Sequence, residues 1–305
     1  MKKMFMAVIA FMMTISASAQ FYIYCSDGNV IKVDSISMVA PEEPEEPTPS
    51  AGIGTFSVSA DKQVTFSKGN LQYTQSTNTW SFASAQWEMI GTDNVTGGSV
   101  YSDPTYGDNK EGTALADKID LFGWSTSATN FGVSTSKDYN EYLGSFVDWG
   151  TNQIGADAPN IWRTLTYKEW HYLRYTRTNA NNLFGVAQVN GVNGLILLPD
   201  NWTCPAGVTF KSGFHSNHGV DYYADYQTFT AAEWSKLEAE GAVFLPAAGY
   251  RSGSLVDRVP YSGGYWSATE NGSSNAFCLN FGSDRASMGG SGLSRGQSVR
   301  LVKDL

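Results

Sequence analysis

The side chains best suited to chemistry concentrate near the C-terminal end of the chain, over about residues 267–295. They are hydroxyls, amides and a few charges, which suit hydrogen-bonded and electrostatic contacts with a ligand. The candidate ligand-binding residues are Glu270, Asn271, Ser273, Ser274, Cys278, Asn280, Ser283, Asp284, Arg285, Ser287, Ser291, Leu293 and Ser294. Apolar residues flank this set, with Tyr265 and Trp266 before it and Val299 and Leu301 after it. A fixed frame around small side chains favours a displayed binding surface over a catalytic site.

Strand periodicity divides the segment into two faces, because successive side chains of a strand point in opposite directions. The residues predicted to face inward are Phe277, Leu279, Phe281, Ala286 and Met288. The residues predicted to face outward are Cys278, Asn280, Arg285 and Ser287. A turn is expected at residues 282–284. The loops at residues 270–275 and 289–295 would then lie beside the outward face and leave room for a ligand.

Other constellations are weaker. His215 and His218, followed by Asp221 and Asp225, could bind a metal, but such a set is also common in polar loops, and we predict no metal, cofactor or catalytic residue. The chain has three cysteines, Cys25, Cys204 and Cys278. A disulfide between Cys204 and Cys278 stays possible, although small unpaired thiols in the core are favoured.

The N-terminal region indicates export. Residues 1–19 carry a short basic start, an apolar stretch and an Ala-Ser-Ala site, which are typical of a secretory signal peptide. Residues 20–40 alternate around a Ser-Asp-Gly turn and predict a β-hairpin. Residues 41–52 are rich in proline and glutamate and predict an extended linker. We therefore expect an exported protein at the cell surface or outside the cell, with the periplasm possible and no membrane span after signal cleavage.

The composition of the chain limits the partners and the fold class expected for the remaining domain, residues 53–305. The formal charge of -9 and the lack of a basic patch disfavour a nucleic-acid partner. The 13% aromatic content and 31 glycines favour a loop-rich β domain held by aromatic packing. Two helices are predicted, each opened by a capping box, with Thr166 and Glu169 in the first and Thr230 and Glu233 in the second. Two helices among many short strands indicate an α+β fold.

Four motifs in order carry a family resemblance: WRTLTYKEW, GVNGLILLPDNW, GAVFLPAAGYR and YWSAT followed by GQSVRLV. Over about residues 53–305 the chain resembles the Fibrobacter-type major paralogous domain, which is common in exported proteins of Bacteroidetes. The resemblance implies a C-type-lectin-like fold of the formylglycine-generating-enzyme branch, here preceded by the small hairpin. Thr269-Glu270-Asn271 is similar to the Glu-Pro-Asn sugar motif of C-type lectins but lacks its proline, which puts calcium-dependent sugar binding in doubt.

The C-terminal segment also resembles the variable region of diversity-generating-retroelement target proteins. In that family, adenines of AAC and AAT codons are miscopied, and the resulting codons cannot encode Lys, Glu, Gln, Met or Trp. Cys278 and residues 282–294 belong to the permitted set except Met288, which would be a fixed position. An ordinary glycine- and serine-rich surface loop has the same composition and stays the alternative.

These observations predict an exported or surface-exposed binding protein whose segment 267–295 forms a diversifiable surface for a protein or glycan on a cell or phage. One alternative is a structural or adhesive surface component, such as a pilus-tip or matrix protein. A formylglycine-type enzyme is a weaker alternative. That branch uses two reactive cysteines near its C-terminal end, whereas this chain has only Cys278 there.

Overall fold

A computed structural model describes residues 53–90 and 117–305, and in the N-terminal region it describes the strands Phe21–Tyr24 (β1) and Val30–Val33 (β2). β1 and β2 pair antiparallel, with Phe21 opposite Val33. The signal peptide predicted at 1–19, the linker predicted at 41–52 and Cys25 lie outside the described residues. The chain divides into two units, Met1–Pro49 and Ser50–Leu305.

The second unit is a mixed α+β structure made mostly of strands. Its strands are Ile53–Ser57 (β3), Gln63–Phe66 (β4), Leu71–Thr74 (β5), Thr79–Phe82 (β6), Lys118–Ile119 (β7), Phe184–Val189 (β8), Val192–Leu197 (β9), Thr228–Phe229 (β10), Val243–Pro246 (β11), Tyr250–Ser252 (β12), Leu255–Asp257 (β13), Gly263–Glu270 (β14), Asn275–Gly282 (β15), Arg285–Gly292 (β16), Arg295–Gly296 (β17) and Val302–Asp304 (β18). They form open sheets in the orders β10-β8-β9-β11, β13-β12-β17, β14-β15-β16, β18-β4-β3 and β6-β5-β7. The α+β class predicted from the sequence is confirmed.

The helices are short, and two of the three begin where the sequence predicts. They are Tyr167–His171 (α1), which continues as a π-helical turn over Tyr172–Thr176, then Tyr222–Tyr226 (α2) and Ala231–Ala239 (α3). Thr166 and Thr230 each accept a hydrogen bond from the N3 backbone, and the glutamate at N3 accepts one in return. Both capping boxes are therefore confirmed. The prediction of two helices missed α2, which has five residues and no side-chain cap.

Strands β8 and β9 are joined by a tight turn at Asn190 and Gly191. Asn190 and Gly191 both have positive φ, 48° and 80°, as a two-residue hairpin turn of type I′ requires. On the side of β9 away from β8, strand β11 pairs with β9, and all four residues of β11 are buried. Among the described residues, no helix is long and apolar enough to cross a membrane.

The C-terminal sheet β14-β15-β16 is covered on both faces. One face places Tyr265, Leu279 and Phe281 in a core that also contains Trp170 of α1. The other face places Trp266, Ala276 and Cys278 in a second core with Trp124, Trp149, Leu293 and Val299. Trp266 Nε1 donates to the carbonyl of Phe122 over 2.6 Å, which fixes the covering segment against the sheet. The sheet is thus held between two aromatic cores.

Candidate functional site

The residues predicted to bind a ligand all lie on or beside this sheet, but they differ in exposure. The exposed residues are Glu270, Ser273, Arg285 and Ser287. The partly exposed residues are Asn271, Ser274, Asn280, Asp284 and Ser294. The outward orientation predicted for Arg285 and Ser287 is confirmed. Asn280 lies opposite Ser287 in the register of β15 and β16, so these two side chains share one face of the sheet.

Cys278 and Leu293 do not reach the surface, so their assignment to a displayed face is corrected. Cys278 is 0% exposed and Leu293 is 3% exposed, and both lie in the tryptophan-rich core. Strand alternation correctly puts the Cys278 side chain on the face of the sheet that points away from the first core. A distant segment of the chain covers this second face as well, so Cys278 is buried there. Burial raises the pKa of the Cys278 thiol to about 12, so it stays protonated at neutral pH.

Ser283 and Ser291 are also buried and serve the structure. Ser283 Oγ donates to the carbonyl of Asn217 over 3.0 Å and accepts the backbone N–H of Gly219 over 3.0 Å. These bonds dock the predicted turn at residues 282–284 onto the loop that carries His218. Ser291 Oγ accepts a hydrogen bond from Gln297 Nε2 over 2.8 Å. Both hydroxyls already have protein partners.

A polar cavity of about 300 Å³ opens beside the Gly282 end of the sheet. Its lining comes from several separate parts of the chain: His218, Gly249, Tyr250, Arg258, Ser262, Gly263, Gly264, Asn280, Phe281, Gly282, Arg285, Gly290, Ser291, Arg295 and Gln297. Of the predicted site residues, it brings together Asn280, Arg285 and Ser291. Arg258 and Arg295 were missed. The sequence holds one signal for them: each is a cationic residue in a chain whose formal net charge is -9.

His218 joins the cavity to the β15–β16 turn. Its Nδ1 lies 2.5 Å from Oδ1 of Asp284, and its ring meets Tyr261 edge-on with centroids 4.3 Å apart. Gly282 makes this approach possible, because a Cβ there would lie 2.5 Å from Cε1 of His218. Position 282, which the codon pattern permits to vary, therefore cannot gain a side chain unless the His218 ring shifts.

Tyr250 forms one wall of the cavity. The guanidinium of Arg295 lies 4.9 Å from the centroid of its ring, within range of a cation–π contact. Its hydroxyl donates to Oδ2 of Asp257 over 2.7 Å. Burial, with help from this carboxylate, raises the pKa of Tyr250 above its ordinary value. The ring therefore stays neutral and offers a fixed aromatic surface beside two cationic side chains.

The alternative sites from the sequence are not assembled within the described ranges. His215 stacks on Tyr222 with ring centroids 4.6 Å apart, and His218 is engaged with Asp284. No group of three His, Cys, Asp or Glu side chains in residues 53–90 and 117–305 is arranged to hold a metal ion. Cys204 is an exposed free thiol and Cys278 a buried one, so the disulfide left open by the sequence is not formed.

Comparison with known proteins adds no relative. The chain matches no protein-family model, no curated protein and no solved structure.

Proposed function

We propose that this chain is an exported or surface-exposed binding protein with a C-type-lectin-like domain. Its C-terminal segment, about residues 267–295, would recognise a protein or glycan on a cell or phage surface. One observation carries the proposal: the sheet β14-β15-β16 is anchored in aromatic cores on both faces, yet presents small polar side chains around a cavity of about 300 Å³.

The physical support is preorganisation. A ligand that meets a fixed sheet does not have to order the protein, so less entropy is lost on binding. Arg285 and Ser287 are exposed on β16, an edge strand of its sheet. The adjoining cavity is at the small end of the range for small-molecule pockets, about 300–1,000 Å³. The same region thus offers both a shallow face and a concave site.

Diversification of this segment is part of the proposal, but it is limited to fewer positions than the codon pattern permits. Open positions are Arg285, Ser287, Gly292 and Ser294, and nothing lies within 4 Å of a Cβ built at Gly292. Met288 packs against the first core, which agrees with a fixed residue there. A neighbouring reverse-transcriptase gene with an adenine-rich copy of this 3′ end supports diversification, and a locus without either one contradicts it.

The test obstructs the proposed face without changing charge. The variant Ser287→Tyr with Gly292→Tyr adds two rings at open positions of β16. The control, Ala232→Tyr with Ser235→Tyr, adds two rings at exposed positions of α3. Both are screened with the parent chain against a glycan array and a panel of cell- and phage-surface proteins. We expect the β16 variant to lose the parent's ligands and the control to keep them.

Equal binding by both variants contradicts the proposed site, provided that their melting temperatures match the parent's. A parent that binds nothing in either screen contradicts the binding function itself.

A structural or adhesive role is the second candidate, and the division of the chain at Pro49 and Ser50 favours it, since an N-terminal unit could mediate assembly. Deletion of residues 20–50 would then abolish surface assembly, whereas intact display counts against it. A cysteine-dependent enzyme has less support, because a catalytic cysteine must reach its thiolate form. Burial instead raises the pKa of Cys278 to about 12.

A further inference from the structure

We propose that the cavity beside Gly282 binds the acidic group of a glycan, a carboxylate or a sulfate ester, between Arg258, Arg285 and Arg295. The inference rests on the proposed binding function and specifies the chemistry of its ligand. All three arginines line one space of about 300 Å³, although acidic residues outnumber basic ones 29 to 20 in the chain.

Like charges that share a small cavity repel one another, and a bound anion relieves that repulsion. A cleft lined by one sign of charge also raises the local concentration of the opposite ion. The cavity would therefore attract an anion even though the protein as a whole repels it.

Two carboxylates near the cavity form hydrogen bonds with other groups. Asp284 contacts His218 over 2.5 Å, and Asp257 accepts the hydroxyl hydrogen of Tyr250 over 2.7 Å. Within residues 53–90 and 117–305, neither Arg285 nor Arg295 forms an ion pair. A guanidinium presents a planar fork of donors that matches a carboxylate or sulfate. The donors of these two arginines are available to such a group.

The backbone holds Arg258 in an unusual conformation. Its φ is 63°, in the left-handed region that side-chain-bearing residues seldom adopt. The Arg258 carbonyl accepts the N–H groups of Tyr261 and Ser262 over 2.8 and 3.0 Å. Strained residues of this kind concentrate at binding and catalytic sites. The turn thus fixes where the Arg258 side chain leaves the backbone at the cavity wall.

The remaining lining suits a sugar more than an acidic peptide. Asn280 is partly exposed at this wall, and its side-chain amide can exchange hydrogen bonds with ring hydroxyls. Tyr250 provides an aromatic surface on which a sugar ring can lie. A single glutamate side chain has neither a ring to lie on Tyr250 nor hydroxyls to pair with Asn280. We therefore infer an acidic sugar unit.

The experiment measures binding of five probes by calorimetric titration. They are a hyaluronan tetrasaccharide for the carboxylate, 6-sulfated N-acetyllactosamine for the sulfate ester, neutral cellotetraose, inorganic sulfate and a hexaglutamate peptide. We expect at least one acidic sugar to bind at least tenfold more tightly than cellotetraose, sulfate or the peptide. Comparison of the two acidic sugars shows which acidic group the cavity prefers.

Two double variants test the arginines. Arg285→Gln with Arg295→Gln removes two cations from the cavity, and Lys118→Gln with Lys236→Gln removes two exposed cations elsewhere. A charge-assisted hydrogen bond contributes enough that loss of one weakens binding about tenfold or more. We expect the arginine variant to lose at least tenfold in affinity for the acidic sugar and the lysine control to lose less than threefold.

Each other outcome overturns the inference in a distinct way. Failure of both acidic sugars to bind overturns it outright. Inorganic sulfate that binds as tightly as the sugars shows a bare anion site, and tighter binding of hexaglutamate shows a site for acidic proteins. If the two double variants lose the same affinity for the acidic sugar, the loss comes from the change in the protein's net charge and not from the cavity. If cellotetraose binds as well as the acidic sugars and the β16 tyrosine variant abolishes this binding, the proposed function stands and the acidic chemistry fails.

Discussion

Leu293→Ala should destabilise the domain by about 3 kcal/mol, although position 293 lies in the segment that looks free to vary. Leu293 is 3% exposed and packs in the core that contains Trp124. Its carbonyl also accepts the N–H of Trp124 over 2.8 Å. Removal of three carbon atoms costs about 0.8 kcal/mol each in lost burial. The cavity left behind adds to this loss, as buried Leu→Ala substitutions that cost about 2–5 kcal/mol show.

Urea unfolding followed by tryptophan fluorescence measures this effect. With a denaturant slope of about 3 kcal/mol per molar urea, the midpoint should fall by about 1 M. Leu143→Ala is the matched control, because Leu143 is 47% exposed and should lose less than about 0.5 kcal/mol. Equal midpoints for the two variants would show that Leu293 is not anchored in the core and would refute the division of the segment into buried and open positions.

Three further outcomes are expected. Burial raises the pKa of Cys278 from 9.0 to about 12, so the unfolded chain loses this proton first. Unfolding free energy should therefore fall from pH 9 to 12 by up to about 1.4 kcal/mol per unit, and Cys278→Ala should show a shallower slope in urea titrations at several pH values. Gly282→Ala should lower the melting temperature by displacing His218, whereas Gly292→Ala, which meets open space, should not. Thr230→Ala should cost about 1 kcal/mol in urea unfolding through loss of its cap.

Local features of the fold were predictable because their causes are local. The capping boxes at Thr166 and Thr230 depend on residues three positions apart, and the hairpin turn depends on the adjacent Asn190 and Gly191. The α2 helix was missed because it is short and carries no cap that a sequence pattern could reveal.

The site was harder to predict because its burial depends on segments far apart in the chain. Alternation along β15 correctly separates Phe281 from Cys278, but it cannot show that Trp124 covers the second face. The cavity likewise depends on distant segments. Arg258 and Arg295 lie near or on the sheet β13-β12-β17, whereas Arg285 lies on the C-terminal sheet, and the fold brings all three to one cavity. No spacing rule in the sequence links three arginines that lie in different elements.

Burial also limits what diversification of this segment could achieve. Change at Cys278, Ser283 or Leu293 alters core packing or the turn's hydrogen bonds, so most replacements there would lower stability before they altered recognition. Change at Arg285 or Ser287 alters the exposed face without such a cost. If Arg285 is one of the cations that hold an acidic ligand, each new residue at 285 also changes the charge of the cavity. A small number of open positions beside a fixed pocket would then vary specificity while the frame stays folded.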